Sequence, residues 1–129
     1  MSWDNTRLLV SARSHHLCEG CYAFATLDPH HRLARGMGGV SRQAEVLAND
    51  VRNILALCRP CHDRTEHADT WRECEALGWR FRHGVTAAED VLATPALIRT
   101  VNGNGWWYLT PDGGYQWADL PDSYRLEVA

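Results

Sequence analysis

The apolar positions of this chain fall in short, separated runs rather than in one long periodic stretch. Asn53-Ile54-Leu55-Ala56-Leu57 is a brief, nearly continuous apolar run that stops at Cys58. A run of that length without alternation suits a buried strand or an extended approach to a metal site. Pro60 comes next, and its missing N–H costs nothing at the start of a helix. Ala68, Trp71, Cys74 or Glu75, and Leu77 then recur at helical spacing, which predicts a helix over about 60–77 with Gly78 as its stop. Asp63 and Glu66 lie near its positive end, where carboxylates are favoured. A shorter helix is predicted from Ser41 to Asn49, capped by Ser41, with Ala44, Val46 and Leu47 on one side. Before it, Arg35-Gly36-Met37-Gly38-Gly39 is turn-rich. Near the other end, Trp106-Trp107-Tyr108-Leu109-Thr110 and Tyr115-Gln116-Trp117-Ala118 flank Pro111-Asp112-Gly113-Gly114. Aromatic strand formers on both sides of an Asp-Gly turn predict a hairpin. Ala96 to Val101 is a third expected strand, ended by Asn102-Gly103-Asn104-Gly105, and residues 84–95 are its connection. Residues 1–17 show little periodicity and read as a lead-in. The expected fold is α+β, with a core over residues 1–83 and a β-rich extension over 84–129 that packs on the core rather than folding alone.

Composition narrows the classes. A chain of 129 residues is one domain's worth. With 45% apolar and 22% charged residues it is neither disordered nor collagen-like. No apolar run approaches the roughly 18–20 residues that span a bilayer, so no membrane partner is expected. Met1 to Arg7 has no apolar stretch of the secretory kind, so the expected setting is cytoplasmic and reducing. There, paired Cys read as metal ligands before disulfides. The net charge of −3 argues at first sight against a nucleic-acid partner. Its distribution changes that reading. Residues 1–83 carry 11 Arg against 10 acids, a net of +1, and residues 84–129 carry 2 Arg against 6 acids, a net of −4. The acidity belongs to the tail. All 13 basic residues are Arg, the better fork for phosphate, although a high-GC coding bias gives the same result and is the preferred reading. Steering of DNA by the near-neutral core is expected to be modest and salt-sensitive, and the protein alone is expected to hold DNA weakly.

The strongest local signal is Cys18-Glu19-Gly20-Cys21 followed by Cys58-Arg59-Pro60-Cys61. Two such knuckles supply four thiolates for a tetrahedral zinc ion. Cys74 stands apart and reads as a buried small hydrophobe. Between the knuckles lies Asp28-Pro29-His30-His31-Arg32. Asn53 follows, and His62 directly follows Cys61. A knuckle at Cys61 fixes His62 in the first helical turn, with Glu66 one turn on along the same face. Adjacent His residues in an extended segment point in opposite directions. One imidazole can then share a metal with His62 while the other faces water and a phosphate. That layout suits metal-assisted phosphodiester hydrolysis, and an Asn amide can orient the basic imidazole.

Taken together, C-x2-C … H-H-R … R-G-M-G-G … N-x3-L-C-x2-C-H, over about residues 13–77, resembles the HNH endonuclease family in the zinc-stapled form common in bacteriophage and bacterial genomes. The resemblance implies a treble-clef-like ββα-metal core and hydrolysis of DNA, leaving 5′-phosphates and 3′-hydroxyls. It assigns the general base to His31 and the catalytic divalent ion to His30 and His62. Asn53 orients the base or braces the loop. Family members with a second helical His one turn after the first use it as a further ligand. Here that position is Glu66, beside His67, so Glu66 is the candidate third ligand, an acceptable oxygen donor for Mg²⁺ or Mn²⁺. The zinc at Cys18, Cys21, Cys58 and Cys61 is closed and structural, whereas the catalytic ion keeps open positions. Arg32, Arg35, Arg59 and Arg64, with Arg42 and Arg52 nearby, are candidate phosphate contacts. The setting implied is a bacterial or phage-infected cell, and oligomeric state is left open.

Two other functions compete. A non-catalytic zinc module that binds nucleic acid or protein accounts for four Cys, but not for His30, His31, Asn53 and His62 at the family's positions. A nuclease active only with a larger phage or host protein accounts for both. Elsewhere the plainer readings are preferred. His15 and His16 are surface or packing residues, His67 and His83 face solvent, and Asp28 is a turn residue before the strand. Gly36, Gly38 and Gly39 form a plain turn rather than a phosphate cradle. The aromatic hairpin residues are core before they are base-stacking platforms.

Overall fold

In the computed structural model, which describes residues 2–34, 47–82 and 87–120, Ser2 opens a helix where a lead-in was expected. Its Oγ accepts the Asn5 N–H, and helix α1 (Trp3–Ser14) follows with Asp4 in its first turn. The buried face of α1 is Thr6, Val10, Arg13 and Ser14, three of them polar. Distant partners hold that face in place. The Thr6 hydroxyl, for example, donates to the Asn49 carbonyl at 2.6 Å. A helix whose inward face is polar leaves no apolar period to read.

Strands β1 (Leu27–His31) and β2 (Ile54–Cys58) pair antiparallel, from Leu27 opposite Cys58 to His31 opposite Ile54. All five β2 residues are buried, as the continuous apolar run requires. Cys58 then serves as N-cap of α2 (Arg59–Glu66), with Pro60 in its first turn, which completes a β1–β2–α2 unit. The single helix expected over 60–77 is instead two, α2 and α3 (Trp71–Ala76). Side chains break the ladder between them. Thr65 donates to the His62 carbonyl and Thr70 to the Arg64 carbonyl, each at 2.7 Å, and His67 Nδ1 accepts the Asp69 N–H. Gly78 ends α3 at φ +75°, and a Cβ there would lie 2.3 Å from the Pro95 carbonyl oxygen. Gly78→Ala is therefore expected to destabilise the fold by about 2 kcal/mol or more, combining the left-handed penalty with a backbone clash. Chemical denaturation measures this, and a loss below about 1 kcal/mol would mean the turn re-routes easily.

A short helix, α4 (Ala88–Leu92), lies in the connection to the second sheet. That sheet has the order β3 (Ala96–Thr100), β4 (Gly103–Leu109), β5 (Tyr115–Trp117), all antiparallel. The expected hairpin is present, and β4 starts earlier than expected, at Gly103. Cys18, Leu55, Leu57 and Trp79 share one buried cluster with Ala96, Ile98, Trp107 and Leu109. Backbone bonds from Leu97 N–H to the Leu77 carbonyl and from Arg99 N–H to the Glu19 carbonyl stitch the sheet to the first unit. The fold is thus α+β, with four helices and two small antiparallel sheets among the described residues. Trp106, Trp107 and Cys74 are buried, whereas Trp117 is half-exposed and packs edge-on against Trp107. No helix among the described residues is long and apolar enough to cross a membrane. The expected turn at 35–39, residues 41–46 of the expected second helix and His83 lie outside the described residues.

One buried polar network joins these parts. The Arg13 guanidinium donates to both oxygens of Glu19, at 3.0 and 2.8 Å, and to the carbonyls of Val51 and Ile54. Glu19 also accepts the Ala56 N–H and the Tyr115 hydroxyl. Both charged side chains are wholly inaccessible to solvent. Burial alone would lower the Arg13 pKa, but the adjacent Glu19 carboxylate outweighs it and raises it. Burial and the Glu19 charge also push the Tyr115 hydroxyl up.

Candidate functional site

The two knuckles meet where β2 runs into α2. The Sγ atoms of Cys18, Cys21, Cys58 and Cys61 all lie within 4.8 Å of one another, with Cys21 and Cys58 3.6 Å apart. Zinc–sulfur bonds of about 2.3 Å in a tetrahedron put sulfurs roughly 3.8 Å apart, so the four are close enough to hold a metal ion and fit zinc. A hydrogen bond from Cys61, opposed by burial and helped by the backbone N–H groups of Cys58, Cys21 and Gly20, lowers the Cys18 pKa and favours its thiolate. Gly20 has no room for a side chain, since a Cβ would sit 2.7 Å from the Trp79 ring and 3.0 Å from Cys61 Sγ. Four protein ligands leave no open position, so this centre is structural.

A second group of side chains forms beside it. Strand alternation sends Asp28 and His30 to one face of β1 and His31 to the other. The first turn of α2 brings His62 against the former face, with the His30 and His62 ring centroids 5.1 Å apart. His30 Nε2 donates to the Trp79 carbonyl at 2.7 Å, and His62 Nδ1 donates to Asp28 Oδ2 at 3.1 Å. A carbonyl and a carboxylate only accept, so the lone pairs fall on His30 Nδ1 and His62 Nε2. Burial holds the His30 pKa down to about 4, which keeps the ring neutral. Imidazoles whose outer nitrogen is tied to a carbonyl or carboxylate are prepared as metal ligands. Asp28 is therefore not a turn residue. It lies within β1 and contacts both His62 and Arg59. The signal for it was its position two residues before His30, which in a strand means the same face.

His31, on the other face, stacks on Trp3 of α1 at 5.2 Å between centroids. Its Nε2 donates to the Ala48 carbonyl at 3.0 Å, which puts the basic lone pair on Nδ1. Asn53 is fully buried, and its amide makes two bonds to Leu33, accepting the N–H at 2.9 Å and donating to the carbonyl at 3.2 Å. Those contacts brace the segment after His31. Glu66, exposed at the end of α2, lines a cavity of about 310 Å³ together with His30, His31, Arg32, Arg80 and Arg82. It does not close a three-ligand set with the two imidazoles. Among the described residues, only the four Cys bring three or more such ligand atoms together.

The arginines are distributed differently from the expectation. Arg32 is not a phosphate contact. It is 1% exposed, and its guanidinium donates to the carbonyls of Gly78, Arg52, Val91, Thr94 and Pro95. Burial lowers its pKa to about 9. A donor set saturated by backbone carbonyls ties loops together and has nothing left for a ligand. Arg59 is exposed and pairs with Asp28 and Asp63. Arg64 pairs with Glu73 and lies over the Trp79 ring, and Arg52 pairs with Asp50. Arg35 and Arg42 lie outside the described residues. Arg80 and Arg82 were not anticipated. The signal for them was the alternation Trp79-Arg80-Phe81-Arg82, an extended segment that bridges to Leu33. His15, His16 and His67 are exposed. Compared with known proteins, the chain matches no protein-family model, no curated protein and no solved structure.

Proposed function

We propose that the chain is a metal-dependent endonuclease of the HNH type that hydrolyses DNA phosphodiester bonds. The observation that carries this reading is the pair His30 and His62, 5.1 Å apart, each with its outer nitrogen tied back, beside a cavity that His31 and Glu66 line. His31 acts as general base. Its Nδ1 takes a proton from the water that attacks phosphorus in line, while its Nε2–H stays on the Ala48 carbonyl and keeps the ring oriented. The P–O bond to the leaving 3′-oxygen breaks, its electron pair stays on that oxygen, and protonation gives a 3′-hydroxyl and a 5′-phosphate. Asn53 holds the chain after His31 in register through Leu33. Asp28 fixes the tautomer of His62. His30 and His62, with Glu66 as the proposed oxygen donor, would hold a divalent cation such as Mg²⁺ or Mn²⁺, which would supply Lewis-acid stabilisation of the charge that builds on the phosphate. The setting that suits this activity is the cytoplasm of a bacterial or phage-infected cell.

Plasmid nicking with Mg²⁺, Mn²⁺ or Ni²⁺ tests the proposal. His31→Ala is expected to slow nicking about a hundredfold or more, with zinc content and circular dichroism unchanged. A zinc-loaded wild type that nicks with none of these ions overturns the solitary-enzyme reading. Nicking that survives His31→Ala overturns the base assignment. One observation favours a second reading, a non-catalytic zinc module: only the four-Cys site gathers three or more ligands among the described residues. An inert wild type that still binds DNA or a protein selects that reading. Nicking that appears only when a phage or host protein is added selects a partner-dependent nuclease.

A further inference from the structure

We propose that Arg80 and Arg82 are the phosphate-binding arm of this cavity, holding the backbone phosphate of a DNA strand against His30 and His31. The inference rests on the nuclease reading above and names the residues that recognise its substrate. The first support is charge. Among the described residues the cavity is lined by three guanidiniums, Arg32, Arg80 and Arg82, and two imidazoles, against the carboxylate of Glu66, with Glu75 paired to Arg82. The Arg32 charge is buried among carbonyls, so it is screened little by water and favours an anion in the space beside it.

The second support is orientation. Arg80 and Arg82 both lie over the Trp71 ring, at 5.0 and 5.1 Å from its centroid, with Arg72 also at 5.0 Å. A cation held over an indole face is attracted by the ring and restrained there, while N–H groups not used elsewhere stay available for a ligand. Arg80 is further held by donating from Nη1 to the Thr65 carbonyl, and Arg82 by its Nε contact with Glu75. Each anchor uses one nitrogen of the fork. Two pre-oriented forks on the rim of a cavity that also holds the proposed base suit a phosphodiester, which needs no sequence-specific contact. Arg59 and Arg64 also pair with carboxylates, as Arg82 does with Glu75, but they are not among the described residues that line the cavity.

The test is binding of a fluorescent duplex to the zinc-loaded protein with no other divalent ion added, over about 50–200 mM salt. Arg80→Gln and Arg82→Gln are each expected to raise Kd about five- to tenfold and to reduce the steepness of the log Kd against log salt plot by roughly 0.9. Glu75→Gln, which releases Arg82, is expected to lower Kd about two- to threefold at low salt. Arg99→Gln removes the same charge from the exposed position of β3 and is expected to change Kd less than about twofold. Arg82 is exposed, so its variant stays informative if loss of the Thr65 contact unfolds Arg80→Gln. If the Arg80 and Arg82 variants match Arg99→Gln while wild type still nicks and His31→Ala does not, this inference fails and the nuclease reading stands. If wild type neither binds nor nicks DNA, both fall.

Discussion

Replacing Cys58 by serine is expected to release the bound metal and abolish cooperative unfolding. Cys58 has four roles at once. Its sulfur belongs to the four-thiolate set, its N–H donates to Cys18, it caps α2, and it pairs with Leu27 across the first sheet. Structural zinc sites contribute about 10–16 kcal/mol of apparent binding energy, which is comparable to or larger than the roughly 5–15 kcal/mol that separates a folded domain from its unfolded chain. The serine hydroxyl is a poor replacement for a thiolate, so most of that energy is lost. Metal analysis should find zinc in wild type and none in Cys58→Ser, and the thermal transition seen by circular dichroism should disappear. Cys74→Ala is the control. Cys74 is buried in the same cluster but outside the ligand set, so its variant should keep zinc and lose only packing energy. A folded, zinc-loaded Cys58→Ser protein would contradict the assignment.

Glu19→Gln is expected to cost about 3–5 kcal/mol, the range for removing one partner of a buried ion pair. The substitution changes almost no volume, so packing does not explain the loss. It leaves the Arg13 guanidinium charged in a place where neither side chain touches solvent. The contacts of Glu19 with the Ala56 N–H and the Tyr115 hydroxyl also weaken. For a chain of this size the melting temperature should fall by on the order of 10 °C. Adding Arg13→Met should recover part of the loss, because it removes the stranded charge. A Glu19→Gln protein within about 1 kcal/mol of wild type, or a double variant worse than the sum of the singles, would show that the pair does not bind α1, the first knuckle and β5 together.

Much of the fold was legible in short windows of sequence. β2 followed from the short apolar run that stops at Cys58, the hairpin from aromatic runs around Asp112-Gly113, and the stop at Gly78 from its place after an apolar stripe. The metal set followed from spacing, because each knuckle delivers two sulfurs within one turn. The features that escaped depend on partners far along the chain. α1 hides its inward face behind Thr6, Arg13 and Ser14, whose burial makes sense only once Asn49 and Glu19 are present. The break between α2 and α3 depends on hydroxyl contacts that compete with a periodicity otherwise intact.

The candidate site divides in the same way. Sequence alone determined which groups exist and which lie near one another along the chain: four thiols, a His doublet, an Asn before β2 and a His after the second knuckle. Only the tertiary structure decided what each group faces. It turned Asp28 toward His62, committed Asn53 to Leu33, buried Arg32 among five carbonyls and brought Arg80 and Arg82 to the cavity instead. The reason is physical. Spacing along a strand or helix sets local direction, but whether a charged group meets water, a carbonyl or a ligand depends on what packs against it, and those neighbours come from anywhere in the chain.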